Sequence, residues 1–221
     1  MSGFLQKILG YTSGNGAEVN SEGGLRIVDG GKSGTHYVVA AKTGTIAAAA
    51  VAGAAVFAMR VNPGSTKKVY IETVRLRFLT VGAFTTPITQ TRSLVLTRGA
   101  GAAASGGTSL AAATKKDTGY AASQCDVDLG GDTRIATTGA LTVTGITWES
   151  VNLAELTLAH VGAAGNFYEC LYEFDARSHQ VELNAGELFG IRVGPSAMDA
   201  AGTWALGVEV MWREGTSDIE A

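Results

Sequence analysis

The sequence predicts an all-β fold: an antiparallel β-sandwich, jelly-roll-like, with an extended N-terminal arm. Three observations point there. About eight to ten short runs alternate apolar and polar residues with a period of two, turn residues (Gly, Asn and Pro) separate them, and only Ala47 to Ala58 competes as a long helix. A chain of 221 residues suits one large all-β domain, because sandwiches and barrels often run past roughly 200 residues without splitting. The expected organisation is an arm over 1–35, a sandwich domain over 36–215 and a short tail over 216–221.

The arm is expected from Gly10, Gly14, Gly16, Gly23, Gly24, Gly30, Gly31 and Gly34, a density that opposes helix and regular strand alike. Phe4, Leu5, Ile8 and Leu9 offer one amphipathic turn for docking onto a neighbour, and a frayed tail is the alternative reading. Ala47 to Ala58 is a run of mainly small apolar residues that ends at Arg60, shorter than the about 20 residues a membrane span needs. It reads as one or two buried strands broken at Gly53, with helix as the alternative because Ala is the best helix former. After the Asn62-Pro63-Gly64-Ser65 turn, Val69 to Leu79 alternates: Ile71, Thr73, Arg75 and Arg77 face one way, and Glu72, Val74, Leu76 and Phe78 the other. Thr91 to Thr97 is the next strand, Gly99 to Thr114 a loop of small residues, and Lys115 to Gly131 a polar stretch. Strand patterns return at Arg134 to Thr137, Leu141 to Thr147, Ala154 to His160, Asn166 to Asp175, Val181 to Leu183 and Glu187 to Val193. The clearest closes the set: Trp204, Leu206, Val208, Val210 and Trp212 share one face, with Glu209 opposite.

Composition narrows the function. Gly occurs 30 times and hydrophobic residues make up 46%, yet aromatics are only 7% and charged residues 17%, so much of the apolar content is small. At roughly 25 cal/mol per Å² of buried apolar surface, Ala and Gly contribute little each, which implies that neighbouring subunits supply part of the stability. A net charge of -3, with Lys and Arg scattered along the chain and never more than two adjacent, provides no basic field for nucleic acid. Met1 to Gly10 shows no secretory pattern, so the chain is expected to stay where it is made until assembly. Cys125 and Cys170 stand 45 residues apart without metal-ligand spacing and read as free thiols, a single disulfide being the alternative.

Each motif that resembles a site lacks a part the chemistry needs. Gly99-Ala100-Gly101-Ala102-Ala103-Ala104 follows a strand as a dinucleotide fingerprint would, but Ser105-Gly106-Gly107-Thr108 interrupts the required helix, and Asp117 ends no strand. Gly31-Lys32-Ser33 matches the end of a phosphate loop whose first glycine would fall on Arg26. Asp126, Asp128, Gly130, Gly131 and Asp132 resemble the opening of a calcium loop with its glycine at the sixth place, but Thr137 stands where a bidentate Glu belongs; a turn capping its own backbone is the ordinary reading. His36, His160 and His179 are isolated. Glu169, Glu173 and Asp175 lie on one strand face, as paired carboxylates or, more simply, as a solvated face. Ser105, Ser109 and Ser123 lack a nucleophile elbow. No catalytic, cofactor or metal residue is assigned, and a non-enzymatic protein without a cofactor is expected.

The segments Arg75-Leu76-Arg77-Phe78, Ala83-Phe84-Thr85-Thr86-Pro87, Leu96 to Thr108 and Gly186-Glu187-Leu188-Phe189-Gly190-Ile191-Arg192 carry a resemblance. From about residue 24 to 213 the chain resembles tailed-bacteriophage virion structural proteins of the decoration, head-fibre or tail-associated type. The resemblance implies a jelly roll present in many identical copies, a homo-oligomer binding itself and other virion proteins and assembled in the host bacterial cytoplasm; from the charge pattern and the short apolar run, neither nucleic acid nor membrane is expected as a direct partner. It brings no catalytic residue. Two functions follow as expectations. One is a capsid-decoration, minor-capsid or tail-associated subunit, with Trp148, Trp204 and Trp212 in cores or interfaces. The other is a receptor- or carbohydrate-binding head module using the loop 99–119 and Tyr120.

Overall fold

The computed structural model describes residues 17–19, 25–27, 35–47, 50–84, 92–110, 114–115, 119, 121–158, 163–174, 180–199 and 201–215. Its strands are β1 (Ala17–Val19), β2 (Leu25–Ile27), β3 (Thr35–Lys42), β4 (Ile46–Ala47), β5 (Ala55–Arg60), β6 (Lys68–Gly82), β7 (Arg92–Gly101), β8 (Thr108–Ser109), β9 (Thr114–Lys115), β10 (Asp132–Ile135), β11 (Ile146–Trp148), β12 (Ala154–Leu158), β13 (Phe167–Glu173), β14 (Val181–Leu183), β15 (Glu187–Val193) and β16 (Thr203–Gly215). Within the expected arm, β1 and β2 pair antiparallel as a short ribbon. The turn expected at Phe4 to Leu9 lies outside the described residues, as does the tail 216–221.

Every pairing is antiparallel, and the strands form two seven-stranded sheets. The first runs β13-β6-β16-β3-β9, with β14 also on β6 and β4 on β16; the second runs β11-β7-β15-β5-β10-β8, with β12 also on β7. If the eight principal strands β3, β5, β6, β7, β12, β13, β15 and β16 are counted in chain order, the first sheet reads 1-8-3-6 and the second 2-7-4-5. Only the connection from β7 to β12 stays within a sheet. This order, two Greek keys wrapped into a double sheet, is the jelly roll.

The inner faces make one core. Trp204, Leu206, Val208, Val210 and Trp212 are all buried, as their spacing predicts. Trp212 stacks on Tyr37 from β3 (5.7 Å between centroids) and Trp204 on Phe78 from β6 (5.2 Å). The largest fully buried side chains of the described residues are mostly aromatic, with Phe57 and Phe189 buried from the second sheet, so large side chains fill the interior despite the Ala- and Gly-rich composition. The Ala-rich run resolves as expected: β4, a turn in which Gly53 holds φ +75°, and the buried strand β5.

Three expectations need correction. The alternation placed Ile71 on the outer face and Glu72 on the inner, but Ile71 is buried in the core while Glu72 is not. Trp212 pairs with Ile71 and Met211 with Thr73, so Glu72 is the extra residue of a β-bulge, which resets the pleat. A second bulge, at Val81, lies between the partners of Thr203 and Trp204. The loop expected from Gly99 onward begins later, because β7 continues to Gly101 and pairs with β11. Conversely, the strand expected over Leu141 to Thr147 shrinks to β11.

Candidate interaction surface

β13 is the terminal strand of the first sheet and pairs only with β6 among the described residues. Thr80 N–H donates to Asn166 O (2.9 Å) and Phe174 N–H to Glu72 O (2.8 Å), both within the β13–β6 register. Hydrogen-bonded pairs alternate along an antiparallel ladder. The backbone groups of Tyr168, Cys170 and Tyr172 therefore face β6, and those of Phe167, Glu169, Leu171 and Glu173 face the open edge.

The same four residues project their side chains from the outer face. Phe167 is 54% and Leu171 46% exposed, among the largest apolar exposures of the described residues. Between them, Glu169 Oε1 accepts from Arg77 Nε (3.3 Å) and lies 3.5 Å from Arg75 Nε, while Arg75 Nη1 approaches Glu209 Oε2 (3.8 Å). Cys170, Tyr172 and Phe174 turn inward against the core margin. Burial, and then the neighbouring Cys170, push the Tyr172 hydroxyl far above its ordinary range.

Beside this strand a trough of about 270 Å³ crosses the outer face, lined by Lys42, Arg77, Leu79, Phe167, Ala205 and Gly207 among others. It exists because Gly207 and Ala205 supply no bulk between β3 and β6.

On the outer face of the second sheet, the Trp148 ring lies across Gly99 of β7 and Gly190 of β15. An added Cβ would fall 2.7 Å from its Cε3 at Gly99, and 2.5 Å from its Cη2 at Gly190. The Arg192 guanidinium sits 5.0 Å from the ring centroid and donates through Nε to Gly53 O (2.9 Å). Burial lowers the Arg192 pKa from its ordinary value.

One end of the sandwich is closed by a buried carboxylate. Glu214 Oε1 accepts from Ser123 Oγ (2.6 Å), Gln124 N–H (2.8 Å) and Trp212 Nε1 (3.3 Å). Ser123 Oγ in turn accepts from Cys125 N–H (3.0 Å). Burial raises the Glu214 carboxyl above its ordinary range, although all three hydrogen bonds and the charge of Lys67 oppose the shift. Burial, with Glu214 nearby, also pushes the Cys125 thiol up, which keeps it an unreactive neutral thiol.

The remaining motif residues take ordinary places. Gly99 to Gly101 belong to β7, and residues 102–110 after them form no helix. Asp126 caps the 3₁₀ turn Val127–Leu129 by accepting from Asp128 N–H (3.2 Å), Gly130 closes it at φ +85°, and Asp132 Oδ2 accepts from Arg134 Nε (2.6 Å). The acidic loop thus spreads its carboxylates over its own backbone and an arginine, and no group of three His, Cys, Asp or Glu suited to a metal occurs among the described residues. Asp126→Ala is expected to cost about 1 kcal/mol in urea unfolding, the worth of a cap; no loss would show that the turn holds without it. His36 is not isolated: the bulge brings Glu72 Oε2 to 3.2 Å from its Nδ1. Ser105 bridges to Thr142, and Cys125 and Cys170 are free thiols. Gly31, Lys32, Ser33, Asp117, Tyr120, His160, Asp175 and His179 lie outside the described residues.

Sequence reasoning missed the Ser123–Glu214 pair and the seat of Trp148, because each joins residues far apart in the chain. Compared with known proteins, the chain matches no family model and no curated sequence.

Proposed function

We propose that this chain is a structural subunit of a bacteriophage particle, a capsid-decoration, minor-capsid or tail-associated protein that works by packing against other subunits. The observation that carries the reading is β13: a jelly-roll edge strand that turns a row of backbone groups, a Phe and a Leu toward solvent. An open, apolar edge is an aggregation hazard unless a partner covers it. The sequence resemblance to tailed-phage virion proteins names the setting.

In purified particles of the encoding phage, the chain is expected in many copies by quantitative mass spectrometry. A version lacking residues 1–35 is expected to fold yet fail to enter particles. Absence of the chain from purified particles would overturn the reading. The trough supports a second one, a receptor- or carbohydrate-binding head, since the Phe167 ring beside Lys42, Arg77 and the Glu209 carboxylate suits a sugar ring. Glycan binding by the isolated protein that Phe167→Ala abolishes would favour it.

A further inference from the structure

We propose that β13 joins two copies of this chain edge to edge about a two-fold axis, extending the first sheet antiparallel across the dimer. This deepens the subunit reading and rests on it for its biological setting, but its geometry stands on the strand itself. Two identical antiparallel edges are self-complementary, which is the condition for an isologous contact.

The side chains select the register. The edge-facing residues Phe167, Glu169, Leu171 and Glu173 must meet their counterparts as hydrogen-bonded pairs. Centring the axis on Leu171 would set Glu169 opposite Glu173 twice, and centring it on Cys170 would set Phe167 opposite Glu173 and Leu171 opposite Glu169. Centring it on Glu169 places Phe167 opposite Leu171 on both sides of the axis, joining the two exposed apolar side chains of the strand's outer face. The two Glu169 carboxylates then face each other, but each already lies between Arg75 and Arg77. Four guanidiniums around two carboxylates turn that meeting into a charge network. On the inner face this register sets Tyr168 opposite Cys170 of the second copy, in a non-hydrogen-bonded pair where Cα atoms approach to about 4.5 Å.

Light scattering on the full-length protein is expected to give a dimer at tens of micromolar. Leu171→Pro removes an N–H that faces the open edge and leaves the β13–β6 ladder intact, so circular dichroism should report the same β content. Dimer affinity should fall about a hundredfold, as suits the loss of two backbone hydrogen bonds and two apolar contacts. The register has its own readout: Tyr168→Cys oxidised with diamide should give a covalent dimer through Cys170 of the other copy, since the facing Cα atoms fall within disulfide range. The same oxidation should leave the wild type monomeric on denaturing gels. A monomeric wild type, a Leu171→Pro variant that dimerises as well as wild type, or a wild-type Cys170–Cys170 crosslink would each overturn the proposal. A monomer that still enters particles would sink this dimer and spare the subunit reading. A β13 dimer absent from particles would do the reverse.

Discussion

Gly190→Val is expected to destabilise the protein by about 3 kcal/mol and to drive Trp148 off the sheet. Its Cβ would stand 2.5 and 2.6 Å from Cη2 and Cζ3 of the indole, closer than carbon atoms approach without displacement. Over β7 the ring already lies flush on Gly99, where an added Cβ would fall 2.7 Å from its Cε3, so it cannot sink toward the sheet. Its only escape is outward, which forfeits the burial of one indole face and the Arg192 contact, worth about 1 kcal/mol itself when part-buried. Overpacking costs typically about 1–3 kcal/mol on its own. Urea unfolding followed by fluorescence checks both halves: Trp204 and Trp212 are fully buried, so a red shift of the native emission reports Trp148 alone. In a Trp148→Ala background the Gly190→Val cost should fall below about 1 kcal/mol, because the two positions share one contact. Additive losses would show that the glycine serves the strand backbone and not the ring.

That seat for Trp148 marks where sequence reading stops. The alternation of β16 was legible because its core face never loses step over Trp204 to Trp212. In β6 the same rule failed at Glu72, since a bulge depends on the partner strand and leaves no mark in a single strand's pattern. Nothing in the sequence linked Gly99, Gly190 and Trp148; only the order β11-β7-β15 stacks them. The amphipathic character of β13 was likewise visible in its Phe-Tyr-Glu-Cys-Leu-Tyr-Glu run, whereas its position at the end of a sheet was not. Edge status is a property of topology, fixed by β6 having β16 on its other side. His36 and Glu72 fall in the same class, brought together by adjacent strands and a bulge.

Glu214→Ala is expected to cost about 3 kcal/mol at neutral pH, because it strands three buried donors at once. Each unsatisfied buried group carries a penalty of about 1–3 kcal/mol, reduced here by relief of the buried charge. Gln124 N–H and Trp212 Nε1 have no rotational freedom with which to find another acceptor, whereas the Ser123 hydroxyl can turn. Glu214→Gln keeps the acceptor oxygen and removes the charge, so it separates hydrogen bonding from electrostatics. The sign of the pH effect follows from the raised folded-state pKa. The folded protein holds the Glu214 proton more tightly than the unfolded chain, so this group's contribution is fully present below the unfolded value of roughly 4.3. It is lost as pH rises through the raised folded value. Wild type and Glu214→Gln should therefore be closest in stability near pH 4, and the glutamine variant should gain on wild type as the pH approaches 7. Urea unfolding of the pair across that range checks the direction. If wild type instead gains on the glutamine variant as the pH rises, the three hydrogen bonds outweigh burial, and the carboxylate is held as a stabilised anion.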